Sequence, residues 1–474
     1  SRLPVLFVVV AFCILGMFSF WHLTESPPTW MDEGAIDQVA MNLAQKGVYG
    51  YQIAPGNFIS TEFLTTGYPV IYPVALSFLL FGKSLFSARV VMVLFLFLLA
   101  ISAYWYIRLH ELEETPRLLL SALALLLLVT FAPLYGHGKN VLGEVPGFTF
   151  LMLSLLCLSF FEKKIHTRIL LFLSGLFAGL SMATKPLYLI LVLPAFLFVL
   201  VVLKRKSFSF KEKLLVLLGV CIPLMVWVSI QLNGGAFWAV FLYGNPEQTS
   251  LIELIIANSK RFFSEIQPLY YIFLTFFWWA GAGLRKRRGV DISTTESIAL
   301  LFSILNLFSF LTTRGFYRYF FSSEALALLF LPSTLYYFLK YHWHAARTLL
   351  ISIVSILLLV GLQSYELIFH SWVSGSEQST RAAALTRELG ILAPKETVFF
   401  YHVPEAVLFL PHDNYYQYLQ FADTVVRGKE FIPLLVQGKP DFVLVDDRFP
   451  VGILPVLLYK EKSQFDKYTL YEKK

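Results

Sequence analysis

Charge is scarce in these 474 residues. Asp, Glu, Lys and Arg make up 15% of the chain, against roughly 25% in soluble globular domains. With 57% hydrophobic residues, 17% aromatics and a mean hydropathy of +0.66, that shortage excludes a soluble chain and leaves a polytopic membrane protein. Cysteine is scarce too. Cys13, Cys157 and Cys221 sit in apolar runs without metal-like spacing, so they read as small buried hydrophobes. No Asn-x-Ser/Thr sequon and no internal repeat occurs. The net charge of +7 does not mark a nucleic-acid partner. Its bases fall between apolar runs, as in Lys204, Arg205, Lys206, Lys211 and Lys213 and in Arg285, Lys286, Arg287 and Arg288. Such clusters orient membrane helices by staying cytoplasmic.

A span takes roughly 20 apolar residues, which gives about eleven candidates. They lie near 3–23, 85–107, 117–135, 145–161, 168–184, 186–203, 213–231, 266–284, 295–312, 319–339 and 347–369. The first run is too long for a signal-peptide core of about 7–15 residues and is expected to be a retained span. With the amino terminus inside, the inner loops hold Lys163, Lys164 and Arg168, the 204–213 and 285–288 clusters, then Lys340 and Arg347. The outer connections carry bases singly or in pairs. The active side is therefore expected to face away from the cytoplasm, and the absent sequons agree with a prokaryotic plasma membrane.

The first outer loop, about 24–84, is more than linker. Residues 32–45 place Ile36, Val39, Ala40 and Leu43 on one side, the spacing of an amphipathic helix at the interface. Tyr68–Phe81 is apolar, too short to span comfortably and carries Pro69 and Pro73, so it reads as interfacial or re-entrant. From about 371 the character changes. Val398-Phe399-Phe400-Tyr401 and Phe442-Val443-Leu444-Val445 look like strands, with a helical stretch near 429–437 between them. The expected architecture is mainly α: a transmembrane bundle over 1–370 and a small extracytoplasmic α/β domain over 371–474.

Chemistry belongs where polar groups gather at the outer face: Asp32, Glu33, Glu62, His137, Lys139, Glu144, Lys185, Arg261, Arg314, Tyr317 and Arg318. Carboxylates near hydrocarbon are costly unless used or paired. Arginines clamp phosphate bidentately and lysine adds a point charge. Each residue has a plainer reading. Asp32 could cap the interfacial helix, and Glu33 and Glu144 could be first-turn acids favoured by the helix dipole. Lys185 and Arg318 could anchor helix ends among lipid phosphates.

The order of motifs resembles a known family. Trp30-Met31-Asp32-Glu33 after the first span is similar to the acidic motif of GT-C type integral-membrane glycosyltransferases. So are Thr65-Thr66-Gly67-Tyr68-Pro69-Val70-Ile71-Tyr72-Pro73, Phe81-Gly82-Lys83-Ser84 and Ala88-Arg89. Gly143-Glu144-Val145-Pro146 resembles the family's second acidic site, and Arg318-Tyr319-Phe320 its late Arg-Tyr. Lipid A aminoarabinose transferases and protein O-mannosyltransferases are the groups it resembles, over about residues 1–340. Where the former carry a Lys-Pro-Pro-like stretch, this chain has Thr66-Gly67-Tyr68-Pro69.

The resemblance implies transfer of a sugar from a polyprenyl-phosphate-linked donor to a lipid, glycan or protein acceptor. The implied catalytic acids are Asp32, as base, with Glu33 and Glu144. Lys139, Lys185, Arg314 and Arg318 would bind the donor phosphate, and His137, Tyr317 and Tyr68 would line the substrate pocket. Some relatives hold a divalent metal near the site; Glu62 and His137 are the candidate ligands here. Two rivals stand beside this reading: a flippase or transporter, and a ligase or polymerase using a lipid-diphosphate donor. The former wants ionisable residues at the bilayer midplane and inverted repeats. The charges of this chain gather at one face instead.

Overall fold

The computed structural model describes residues 2–110, 114–163, 167–204, 207–231, 250–313, 315–340, 344–371, 379–421, 425–450 and 457–474. Apolar runs become helices because backbone polar groups in hydrocarbon must be satisfied within the segment. In chain order these are α1 (Leu3–Phe20), α2 (Met31–Lys46), α3 (Tyr68–Phe81), α4 (Leu85–His110), α5 (Glu114–Val129), α6 (Ala132–Gly138), α7 (Glu144–Lys163) and α8 (Arg168–Thr184). There follow α9 (Pro186–Leu197), α10 (Phe210–Gln231), α11 (Leu251–Ser264), α12 (Ile266–Arg287), α13 (Thr294–Thr312), α14 (Phe321–Lys340) and α15 (Ala345–Tyr365). Every segment expected to span is helical. Among the described residues, 7 helices are long and apolar enough to cross a membrane, or up to 8 if the bent pair α5 and α6 is one span. That pair bends by 58° beside Pro133, which cannot donate a backbone hydrogen bond.

Direction places the charges. Lys185 precedes α9 and Lys204 follows the π-helical turn Phe198–Leu203 that extends it, so they lie at opposite ends of one span. Arg285, Lys286 and Arg287 close the last turn of α12. Lys204 Nζ donates to the Ile292 carbonyl just past α12, so Lys204 and the basic end of α12 lie together at the end away from Lys185.

The first loop folds back on itself. Strands β1 (Tyr51–Ala54) and β2 (Asn57–Ile59) pair antiparallel between α2 and α3. Pro55 and Gly56, the latter at φ 72°, make the connection. The carboxy-terminal region opens with α16 (Arg381–Leu389) and builds a six-stranded sheet from β3 (Val398–Tyr401), β4 (Tyr415–Phe421), β5 (Val425–Arg427), β6 (Phe442–Asp446), β7 (Tyr459–Phe465) and β8 (Tyr468–Lys473). The short helix α17 (Ile432–Val436) precedes β6. The order is β5-β4-β3-β6-β8-β7, with β3 parallel to both β4 and β6 and the other pairs antiparallel. The central strands β3 and β6 are buried throughout and read as continuous apolar runs up to Asp446, which closes β6. The edge strand β7 carries Lys460, Glu461 and Lys462, which discourage further pairing.

This sheet is tied to the first loop. Gln38 Nε2 donates to Tyr415 Oη at 2.8 Å, Tyr51 Oη to Gln417 Oε1 at 2.8 Å, and Gln417 Nε2 to Gln38 Oε1 at 3.1 Å. Arg381 donates to the Thr29 carbonyl at 2.5 Å, and Lys46 pairs with Asp413 at 2.8 Å. The helix expected to lie half-exposed at the interface, α2, is consequently buried from Glu33 to Asn42. The 3-10 turn Pro404–Phe409 covers its outer side, and a Cβ on Gly34 would come within 2.2 Å of the Glu405 backbone. Gly34→Val should therefore cost about 1–3 kcal/mol by overpacking and loosen the sheet from the bundle. Thermal melting and limited proteolysis of the detergent-solubilised protein check this: the melting temperature falls and cleavage between α15 and α16 increases.

Candidate active site

Four side chains from four parts of the chain form a row of alternating charge. Asp32 Oδ2 lies 3.2 Å from Arg318 Nη1, Arg318 Nε lies 3.5 Å from Glu144 Oε1, and Glu144 pairs with Lys185. The row runs from open to closed: the Asp32 and Arg318 side chains are 22% and 20% exposed, Glu144 and Lys185 2% and 5%. The outer pair can meet a ligand, while the inner pair is protein-enclosed.

Local sequence explains the placement. Asp32 is in the first turn of α2, whose N-cap is Trp30 with no side-chain cap bond, so Asp32 does not serve as the cap. Glu144 opens α7. Its carbonyl accepts a hydrogen bond from Tyr188 Oη at 2.6 Å, and a Cβ on Gly147 would overlap the Tyr188 ring at 2.3 Å. Glycine at that position lets α7 and α9 close until Lys185 reaches Glu144. Pro186 at the first position of α9 fixes the break that leaves Lys185 between two helices. Arg318 lies on the 3-10 turn Tyr317–Tyr319, with its guanidinium 5.5 Å from the Trp30 ring and 5.2 Å from that of Phe316. Arg261 braces the approach to this turn by donating to the Gly315 carbonyl at 2.7 Å.

Burial pulls the Lys185 ammonium below its ordinary value, against Glu144, which favours the charge. Burial opposes the Arg318 charge as well, but Glu144 and Asp32 more than offset it and raise that group. Glu144 Oε2 and Arg318 Nε have no hydrogen-bond partner among the described residues. The row has spare donor and acceptor capacity. Two cavities flank it. One of about 300 Å³ is lined by Pro27, Trp30, His137, Asn140 and Arg318; another of about 450 Å³ has His137, Tyr317 and Glu324 in its wall.

Several expected site residues do other work. Glu33 is not placed for catalysis: its two oxygens accept from Arg89 Nε at 2.8 Å and Nη2 at 2.6 Å, both side chains being 0% exposed. Arg89 also donates to the Leu23 and Pro27 carbonyls at 2.7 and 2.8 Å, so the pair pins the entry to the first loop. Lys139 is buried and donates to the Trp21 carbonyl at 2.6 Å instead of facing the row. Burial, helped by Arg89, lowers its pKa to about 7. Tyr68 points its hydroxyl toward the Pro223 carbonyl at 3.5 Å and lines neither cavity. Glu62 faces Arg427 at 3.5 Å, and His137 packs edge-on to Phe321, so they do not form the expected metal pair. No group of three or more His, Cys, Asp or Glu suited to a metal occurs among the described residues. His137 and Tyr317 line cavities, and Arg314 lies outside the described residues. Arg89 appeared in a motif without a role. Glu324 was missed, although a carboxylate inside an apolar run is itself a signal.

Arg89→Met should destabilise the fold by about 3–5 kcal/mol, because it strands the Glu33 charge in the interior. The double replacement Arg89→Met with Glu33→Leu should recover part of that loss, as read by thermal unfolding in one detergent.

Residues 69–230 match the family model described as dolichyl-phosphate-mannose-protein mannosyltransferase. No curated protein matches in sequence. ArnT from Cupriavidus metallidurans in the apo state superposes with TM-score 0.62 at 16% identity, over 98% of this chain and 97% of that one. Its undecaprenyl-phosphate-bound form gives 0.61 at 16% identity over the same shares. An oligosaccharyltransferase from Archaeoglobus fulgidus, in a complex with Zn and sulfate, gives 0.53 at 14% identity, over 93% of this chain and 68% of that one. The chain therefore shares its overall fold with these membrane-protein structures.

Proposed function

We propose that this protein is a membrane glycosyltransferase that takes a sugar from a polyprenyl-phosphate-linked donor. The observation that carries this is the row Asp32–Arg318–Glu144–Lys185, two cations held on one buried carboxylate beside an accessible one. The family-model match and the ArnT-like fold, including a form holding undecaprenyl phosphate, support a lipid-phosphate donor. The basic clusters at the far end of the bundle support an extracytoplasmic site. We read 371–474 as a domain that lies over the first loop on that side.

The donor phosphate competes with Asp32 for Arg318 and with Glu144 for Lys185, as an anion with several acceptor oxygens can. Glu144 stays behind as the counter-charge that keeps both cations in place. Asp32, relieved of Arg318, takes the proton of the acceptor hydroxyl as its oxygen attacks the anomeric carbon. The bond from that carbon to the phosphate oxygen breaks, its electron pair leaves with the phosphate, and the new charge falls on Arg318 and Lys185. A single displacement inverts the anomeric centre.

Asp32→Asn should lower transfer by about 10²–10⁴-fold, the ordinary worth of a general base. It should leave undecaprenyl-phosphate binding equal or tighter, since Arg318 loses a competitor. The check is transfer from purified polyprenyl-phosphate sugars together with lipid-phosphate binding. Undiminished transfer by the variant would remove Asp32 as the base.

A further inference from the structure

The cavity of about 450 Å³ contains a carboxylate that the reaction just described does not use. Glu324, in the first turn of α14, is only 7% exposed and lies in its wall, its carboxylate without a hydrogen bond or ion pair among the described residues. An unpartnered carboxylate inside a bundle is costly, and its neighbours do not relieve it. The half-buried rings of Tyr270 and Tyr317 line it beside the nearly enclosed Phe131, Phe320 and Phe321, and Gln267 and His370 supply further polar groups. Rings that stack on C–H faces, mixed with a carboxylate and an amide that accept from hydroxyls, match a sugar ring better than a bare isoprenoid chain. His137 lines both this cavity and the one holding Arg318, and Tyr317 and Arg318, adjacent in the chain, face one cavity each. A sugar in the larger space therefore lies beside the phosphate clamp.

We propose that this cavity is a glycosyl-binding subsite in which Glu324 accepts a hydrogen bond from a non-reacting hydroxyl of the bound sugar. It rests on the transferase reading above. Glu324 is a specificity residue and takes no proton in the transfer step. The sugar is that of the donor or that of a glycan acceptor; the chemistry is shared, and the experiment separates the two.

The test uses the full chain in detergent and dicyclohexylcarbodiimide, which modifies carboxyl groups in apolar surroundings, with the modified peptide quantified by mass spectrometry. Glu324 should be labelled. A panel of methyl glycosides, or a short-chain polyprenyl-phosphate sugar, should reduce labelling severalfold, whereas inorganic phosphate and undecaprenyl phosphate should not. Protection by methyl glycosides assigns an acceptor sugar, and protection by the lipid-linked sugar alone assigns the donor. Lack of labelling, lack of protection by any sugar, or equal protection by undecaprenyl phosphate would overturn the subsite. Protection should persist in Asp32→Asn, so a failure of the base assignment is told apart from a failure of the subsite. Glu324→Ala should raise the KM for the assigned sugar substrate about tenfold, the loss of one buried hydrogen bond, with kcat changed less. Unchanged KM in a folded variant would also contradict it.

Discussion

One buried carboxylate organises the candidate site. Glu144 is nearly sealed from solvent, and a charge so placed demands cations. It draws Lys185 from the α8–α9 break and Arg318 from the turn before α14, segments separated by well over a hundred residues. Arg318, already raised against the cost of burial, in turn holds Asp32 at the open end. Remove Glu144 and two like charges face each other beside hydrocarbon. On the proposed reading the two cations are thus in place before any phosphate arrives, and the order in which the row's members are exposed decides which of them a ligand meets first.

Adjacent acids with opposite fates show how strongly helix geometry divides function. Asp32 and Glu33 are successive residues of α2, turned by about 100° from each other. One reaches Arg318 at the cavity, the other reaches Arg89 in the interior. The Arg89 pair fixes the helix that presents Asp32, so the structural acid positions the catalytic candidate. The carboxy-terminal sheet reinforces this from outside through Gln38, Tyr51 and Gln417, and buries a helix that would otherwise float at the interface.

Much of this was legible in the chain. Apolar runs marked the helices, Pro186 and Glu144 marked their starts, and the runs at 398–401 and 442–445 marked the central strands. The partners were not legible. Whether Glu33, Lys139 or Glu62 faces a cavity or a buried carbonyl depends on tertiary packing, and local spacing carries no trace of Trp21 lying beside Lys139 or Arg427 beside Glu62. The hairpin β1–β2 escaped notice because its strands are only four and three residues long, too short for an alternating pattern to show. Glu324 was hidden for the opposite reason: its run is so apolar that the segment read as plain span, though its charge was the informative residue in it.

The account turns on Arg318 changing partner. A structure of the protein in lipid nanodiscs with bound undecaprenyl phosphate tests it most directly. The phosphate should sit between Lys185 and Arg318 at ion-pair distance, with the Asp32 carboxylate released from Arg318 and facing the cavity. A phosphate held elsewhere, with the Asp32–Arg318 contact intact, would contradict the central claim.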